Sequence, residues 1–222
     1  GVLGGAADLI VQRLACGVEL EVMDEDLRDV LESLWQAELA RDVRRDDDVR
    51  LSPERMRNTE KRSIMMAKLI AFYSRADENY FGGSYRVIPV GNTEKVAYML
   101  AKLTGASLLK LEQKKPYSAN YQECIAEAKR DLQANARPEL VALPENLGKY
   151  DEIYLGYPNY WGTMPMAVYT FLEHYDFTGK VIHPFCTHEG SGLSNTVKDI
   201  ERTAKGAIVK LGLTIHGSSA DK

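Results

Sequence analysis

The sequence predicts a doubly wound α/β domain with a five-stranded parallel sheet, preceded by a helical extension. After Ser63, short apolar runs alternate with segments whose apolar residues recur at helical spacing. These runs are apolar on both strand faces, which is typical of parallel strands covered by helices on both sides. Right-handed crossovers would join each strand to the next.

The first sixty residues differ from the rest of the chain. The segment at 24–43 carries an apolar stripe at helical spacing, and a charged, apolar-poor stretch follows it. The stripe consists of Leu27, Val30, Leu31, Leu34 and Ala37. We therefore assign residues 1–60 to a helical extension with its linker and residues 61–222 to the α/β domain. Because the stripe needs an apolar surface to cover, we expect it to pack on that domain or on a second subunit.

Five runs are the predicted strands, and the first four are expected to be buried on both faces. In chain order they are MMAKLIAFY, ASLLKL, DEIYLGYP, KVIHPFC and AIVKLGLTIHG. Three helical faces lie between them, formed by Val96, Leu100 and Leu103, by Tyr121, Ile125, Ala128 and Leu132, and by Val168, Phe171, Leu172 and Tyr175. A further helix is expected after Gly192.

Composition limits the classes of partner. The net charge of −4 and the lack of a basic patch argue against nucleic acid. Three scattered cysteines without a CxxC motif favour reduced thiols and a cytoplasmic location. The opening segment is interrupted by Asp8 and Arg13 and is too short to cross a membrane, so we expect no membrane partner.

A ligand site is expected beyond the carboxyl ends of the strands, where such sheets bind small molecules. Three loops follow strands there, at 74–92, 157–165 and 186–196, and all are rich in glycine, hydroxyls and amides. Shared chemistry at one edge of a sheet predicts one site.

The first loop offers an anion site. Asn92 and Thr93 stand at the start of a helix, where backbone N–H groups and the helix dipole favour negative charge, and Ser74 could add a hydroxyl. The alternative is that Asn92 or Thr93 only caps the helix.

The other two loops offer flat surfaces and backbone donors. Tyr160 and Trp161 precede Gly162, so rings and backbone could both meet a planar ligand, although Trp161 could equally be a buried core residue. Gly190 and Gly192 permit close backbone approach, but a plain turn would also explain them.

Several other chemistries are excluded by spacing. HEGSG lacks the second histidine of HExxH, and Ser191 is not in a GxSxG elbow. No GxGxxG follows a strand, and His183 and His188 are not at a spacing that predicts metal ligands. We expect no metal site.

Three motifs in order, AFYSR…GNTEKVA, YPNYWGTMP and CTHEGSGLSNT, resemble the flavodoxin superfamily, closest to bacterial flavodoxin-like proteins with an enlarged phosphate-binding loop. The match covers residues 64–217. The resemblance implies sheet order 2-1-3-4-5 and FMN as cofactor. It also implies that residues 76–90 are an insertion that leaves both halves of the phosphate site intact and forms a flap beside the flavin.

The resemblance also implies roles for individual residues. Those for the phosphate are Ser74, Asn92, Thr93 and, less directly, Arg75. Those beside the isoalloxazine, near its N5 and O4 edge, are Pro158, Asn159, Tyr160, Trp161 and Gly162. Those facing its O2 and N1 edge are Thr187, Glu189, Gly190, Ser191 and Gly192.

The function implied is FMN-dependent redox chemistry, as an electron carrier or a small oxidoreductase of the NAD(P)H:quinone type. Partners would be a redox protein or a quinone-like acceptor, with NAD(P)H as a candidate donor and a homodimer as a candidate assembly. The alternative is a flavin-free α/β module for regulation or protein binding. A phosphoacceptor receiver domain would need acidic residues at the ends of its first strands, and AFYS has none.

Overall fold

The computed structural model describes residues 67–220. In this part of the chain, strands and helices alternate as the apolar runs predict. The predicted helical extension at 1–60, including the amphipathic helix at 24–43, lies outside the described residues. Within 67–220, every helix is too short or too polar to cross a lipid bilayer.

The strands of the described chain are β1 (Ala67–Phe72), β2 (Asp77–Phe81), β3 (Ser84–Ile88), β4 (Ser107–Lys110), β5 (Tyr150–Pro158), β6 (Val181–His188), β7 (Ile208–Val209) and β8 (Leu213–His216). Six of them are parallel and form the main sheet, in the order β4-β1-β5-β6-β7, and β8 also pairs with β6. With β7 and β8 sharing the fifth place, this is the expected order 2-1-3-4-5.

The fifth predicted strand is not continuous, which corrects the interpretation of AIVKLGLTIHG. It divides into β7 and β8, separated by residues 210–212. At Gly212 the backbone passes so close to Leu193 that a Cβ would lie 2.6 Å from its side chain. Glycine also weakens a strand interior because it has no side chain to pack. The break therefore falls where the chain must approach its neighbour closely.

All four predicted helices are present. They are α1 (Asn92–Thr104), α2 (Tyr121–Gln133), α3 (Met166–His174) and α4 (Thr196–Thr203). Two residues assigned to apolar helix faces depart from the prediction, because Leu103 is 39% exposed and Tyr175 lies just beyond the end of α3. A short 3₁₀ turn, Gly217–Ser219, follows β8.

The central strand β1 is buried on both faces, as predicted. Leu69 and Ala71 point to the face that holds Phe171 of α3, and Ile70 and Phe72 on the opposite face are also fully buried. The same prediction is wrong for β4. This strand pairs only with β1 and forms an edge of the sheet, so most of its residues, including Leu108, are exposed.

Residues 77–88 form an antiparallel hairpin between β1 and α1. In it, β2 pairs with β3 from Asp77 opposite Ile88 to Phe81 opposite Ser84. Gly82 and Gly83 form its turn with positive φ angles of 51° and 109°, which glycine adopts without a steric penalty. The insertion expected from the sequence is therefore ordered, and its strands were not predicted.

Candidate functional site

A cavity of about 280 Å³ opens at the carboxyl ends of β1, β5 and β6, near the lower end of the range for small-molecule sites. The predicted site residues that line it are Ser74, Arg75, Asn92, Thr93, Pro158, Asn159, Tyr160, Thr187, Glu189 and Ser191. The predicted residues that do not line it are Trp161, Gly162, Gly190 and Gly192. All three predicted loops thus contribute to one cavity.

The two halves of the first loop meet despite the hairpin between them. Gly91 occupies the N-cap position of α1 and has no side chain to cap the helix. Ser74, at the end of β1, supplies the cap instead, because its Oγ accepts a hydrogen bond from the Glu94 N–H at 3.0 Å. A Cβ on Gly91 would lie 2.3 Å from that Oγ. The hydroxyl and the helix start are therefore adjacent.

Neither Asn92 nor Thr93 caps α1, so the capping alternative is wrong. The buried Thr93 hydroxyl shares a hydrogen bond with the Thr187 hydroxyl at 2.8 Å, which joins the first loop to the third. Asn92 Oδ1 is buried and finds no hydrogen-bond partner among residues 67–220. An orphaned acceptor of this kind is costly unless a ligand or water satisfies it.

Arg75 lines the cavity, but its guanidinium is engaged with backbone carbonyls. Its Nη2 donates to the carbonyls of Ser118 and Ala119 at 2.8 and 2.6 Å, and Nη1 donates to the Glu78 carbonyl at 2.5 Å. These bonds join the end of β1 to the hairpin and to the start of α2. The side chain holds the rim of the cavity together.

Asn159 fixes the second loop against the third. Its Nδ2 donates to the Gly192 carbonyl at 2.9 Å and to Ser194 Oγ at 3.1 Å, while its Oδ1 accepts from the Gly162 N–H at 3.0 Å. Its backbone N–H also donates to the carbonyl of Thr187. Gly162 and Gly192 thus shape the site through Asn159 without lining the cavity.

Tyr160 reaches from the second loop into the cavity wall. Its ring lies edge-on to Tyr73, with centroids 6.2 Å apart, and its hydroxyl is 3.8 Å from Cys124 Sγ. Burial raises the pKa of Tyr160 well above its usual value, so the hydroxyl stays protonated at neutral pH. Burial likewise raises the pKa of the Cys124 thiol. This wall is therefore uncharged.

Trp161 points away from the cavity. Its Nε1 donates to the Ile125 carbonyl on α2 at 3.0 Å, and Lys129 Nζ lies 4.8 Å from its ring centroid. The side chain is 49% exposed, so the buried-core alternative is also wrong. A positive φ of 57° turns the backbone at this residue.

The third loop combines a tight turn with a carboxylate. Gly190 and Gly192 adopt φ angles of 116° and 60°, so the plain-turn interpretation describes these two residues. Glu189 Oε2 accepts a hydrogen bond from the Gly82 N–H of the hairpin at 3.0 Å. Its Oε1 is buried and has no hydrogen-bond partner within the described chain.

His188, at the end of β6, is held by the same loop. Its Nδ1 accepts a hydrogen bond from the Gly190 N–H, and burial, together with the nearby His216, lowers the pKa of His188.

Five lining residues were not predicted: Asn79, Tyr80, Tyr121, His188 and Gly217. Tyr80 on the hairpin stacks on Tyr121 at the start of α2, with ring centroids 6.2 Å apart. The tyrosines of the predicted insertion indicate a flap beside the site. That Tyr80 in particular faces the cavity follows from the hairpin register, which the sequence did not predict. Tyr121 was assigned to the apolar face of its helix.

A family model described as flavodoxin matches residues 80–222, well over half of the chain. The chain belongs to the flavodoxin family. This flavodoxin-family chain has the expected fold, with the strand order and the site loops at the expected ends of the strands. No curated protein sequence gives a significant match.

Solved structures share the fold of this flavodoxin-family chain. A protein provisionally described as a flavoprotein, from Bacteroides uniformis ATCC 8492, is 25% identical, with 70% of this chain and 94% of that chain covered and a TM-score of 0.58. A flavoprotein in complex with FMN, from Lactobacillus acidophilus NCFM, is 22% identical, with 70% and 97% covered and a TM-score of 0.51.

Proposed function

We propose that this protein binds FMN in the cavity and acts as a redox protein, either as an electron carrier or as a small oxidoreductase of the NAD(P)H:quinone type. The observation that carries the proposal is the meeting of Ser74, Gly91 and the start of α1 at the carboxyl end of β1. Family membership and the FMN complex of the Lactobacillus structure support the same cofactor.

The residues around the helix start fit a phosphate. A helix N-terminus attracts anions through its free N–H groups and dipole, and the Ser74 and Thr93 hydroxyls add donors beside it. The guanidinium of Arg75 is committed to carbonyls, so the phosphate would be held by neutral groups. The buried, orphaned Asn92 Oδ1 would accept a donor such as a ribityl hydroxyl.

The rest of the lining fits a planar ring system. The rings of Tyr80, Tyr121 and Tyr160 offer flat apolar surface, and Glu189 Oε1 offers an acceptor. Bound FMN would supply the redox chemistry, and this chain would orient the ring and exclude water from it. His188 accepts a hydrogen bond through Nδ1, which leaves it neutral and suited to binding rather than to electrostatic steering.

Titration of the protein with FMN and with riboflavin tests the proposal. Wild type should bind FMN more tightly, since riboflavin lacks the phosphate. Replacing Thr93 by Ala should weaken FMN far more than riboflavin, because a hydrogen bond to a charged group is worth about 1.5–3 kcal/mol. Asn92→Ala removes the acceptor for a ribityl hydroxyl, which both ligands carry, so it should weaken both to the same extent. Asn146→Ala, in the exposed loop before β5, is the matched control and should leave both affinities unchanged.

Equal weakening of both ligands in Thr93→Ala would show that the phosphate lies elsewhere. If wild type binds neither ligand, the flavin-free regulatory module becomes the better assignment. For a protein that does bind FMN, anaerobic reduction by NADH or NADPH and reoxidation by a panel of quinones separate the two redox roles. Direct reduction by either nucleotide with quinone turnover indicates the oxidoreductase, whereas a stable flavin that exchanges electrons only with a protein indicates the carrier.

A further inference from the structure

The hairpin at 77–88 is fixed firmly at its base. Arg75 binds the Glu78 carbonyl, and the Glu78 N–H donates to the Ala119 carbonyl at 3.3 Å. Glu78 Oε2 accepts from the N–H of Tyr121 at 2.8 Å and so caps the start of α2. Several bonds therefore hold the strand ends of the hairpin beside the cavity.

The tip of the hairpin makes a different kind of contact. The Gly82 N–H donates to Glu189 Oε2 at 3.0 Å, from the hairpin turn to the third loop. Tyr80, two residues before the tip, lines the cavity between these two anchors. The hairpin thus has a multiply bonded base, and its Tyr80 and Tyr85 contact the start of α2 through Tyr121 and Gln122. In its turn, Glu189 accepts the hydrogen bond from the Gly82 N–H.

The same carboxylate has a second oxygen available to a ligand. Glu189 Oε1 is buried without a hydrogen-bond partner in the described part of the chain, and it lies 3.0 Å from where a Cβ on Gly217 would stand. The same Cβ would lie 2.7 Å from Asn92 Nδ2, so the glycine leaves room beside both side chains. A buried carboxylate oxygen favours a donor strongly, because charge-assisted hydrogen bonds are about twice as strong as neutral ones.

We propose that Glu189 is a positioning residue that couples occupation of the cavity to closure of the hairpin. Its Oε2 holds the Gly82 N–H at the tip, and its Oε1 accepts a hydrogen bond from an N–H or O–H of the bound ligand. A ligand that supplies this donor fixes the carboxylate and thereby strengthens the hold on the tip. The ligand half of this proposal rests on the proposed flavin binding, whereas the hold on Gly82 does not.

One other group faces the same carboxylate oxygen. His216 Nδ1 lies 3.6 Å from Glu189 Oε2 and is hydrogen-bonded to Ser218 Oγ at 2.7 Å. Protonated His216 would draw charge from Oε2 and weaken its bond to Gly82. The measurements below are therefore all made at one fixed pH.

Amide hydrogen exchange of the flavin-free protein tests the hold on the tip. Glu189→Ala should speed exchange of the Gly82 amide by about tenfold, the effect of losing a charge-assisted bond. Glu189→Gln keeps a neutral acceptor and should show a smaller increase. The amide of Glu78, at the base, and the melting temperature should not change in either variant. Glu145→Gln, in the loop before β5, controls for the lost charge. Unchanged Gly82 exchange in Glu189→Ala would overturn the proposal.

The dissociation rate of FMN tests the coupling. FMN should slow Gly82 exchange in wild type, and Glu189→Ala should speed FMN release by about tenfold and abolish that slowing. If FMN binds but neither effect appears, the coupling is wrong while the proposed function stands. If wild type binds no FMN, the coupling falls with the proposed function, and Gly82 exchange still decides whether Glu189 holds the tip.

Discussion

Arg75 lines the cavity, but its guanidinium is bound to the backbone of the protein itself. It follows Ser74 directly, and the sequence resemblance implies, less directly than for Ser74, that it contributes to a phosphate site. Its guanidinium instead binds carbonyls of Glu78, Ser118 and Ala119. The five donors of arginine suit this role, because they can bind two separate backbone segments at once.

His183 carries a pH dependence of stability. It lies opposite Tyr154 in the sheet, and the two rings stack with centroids 4.9 Å apart. Burial, together with the charge of Lys68, lowers its pKa to about 4. The unfolded chain, with an ordinary pKa near 6.5, binds a proton more readily than the folded chain between these values. The contribution of His183 to the free energy of unfolding should therefore fall as the pH drops from about 6.5 to 4. Above about pH 6.5 this contribution should be constant.

We expect His183→Phe, which keeps a ring to stack on Tyr154, to remove this contribution. When the pH is lowered from 7 to 4, the free energy of unfolding should fall less in His183→Phe than in wild type. The difference between the two decreases should be up to about 3 kcal/mol. Urea unfolding at several pH values measures the difference. His174→Phe, an exposed histidine at the end of α3, is the control. Parallel pH profiles for wild type and His183→Phe would contradict the prediction.

At the scale of elements, the hairpin is an insertion that closes on itself. Asp77 pairs with Ile88, so the two ends of the hairpin lie only about 5 Å apart. Ser74 and Gly91, which precede and follow the hairpin in the sequence, also lie next to each other. The insertion is therefore tolerated because its two ends are adjacent, so that the end of β1 and the start of α1 remain in contact.

Replacing residues 77–88 by two glycines should leave the main sheet folded and FMN bound. The loss of the Glu78 cap on α2 should cost about 1 kcal/mol of stability, and FMN should dissociate faster without the covering strands. Thermal melting and flavin titration measure the two effects. A variant that folds but no longer binds FMN, when wild type does, would show that the hairpin belongs to the phosphate site itself.

At the scale of the whole molecule, the described residues that line the cavity lie between Ser74 and Gly217. We therefore expect residues 61–222 to bind FMN with the affinity of the full chain. We also expect deletion of residues 1–60 to lower the melting temperature, because the apolar stripe of Leu27, Val30, Leu31 and Leu34 needs a surface to cover. If the chain without residues 1–60 has an unchanged melting temperature, the prediction that this helix covers an apolar surface is wrong. If that chain no longer binds FMN, the prediction that residues 61–222 are sufficient for binding is wrong.

The sequence by itself determined the helices and the main-sheet strands and their order along the chain, because periodicity reports burial directly, but it did not predict the hairpin strands β2 and β3. Ile70 and Phe72 lie on one face of β1 and Leu69 and Ala71 on the other, and all are buried, as a parallel central strand requires. The break between β7 and β8 and the exposure of β4 escaped this reasoning. Both depend on which neighbours a strand meets, and local apolar content does not encode that.

The sequence also determined three of the loops that line the cavity, since parallel strands bring their carboxyl ends to one edge of the sheet, but Tyr121 and Gly217 line it from outside these loops. Only the tertiary structure decided where each side chain in those loops points. Trp161 turns onto α2, although Tyr160 beside it lines the cavity. Gly82 and Glu189, 107 residues apart, meet across the cavity. The direction of a loop side chain depends on the partners that folding brings close to it. These partners are far away in the sequence, so a local sequence pattern cannot predict the direction.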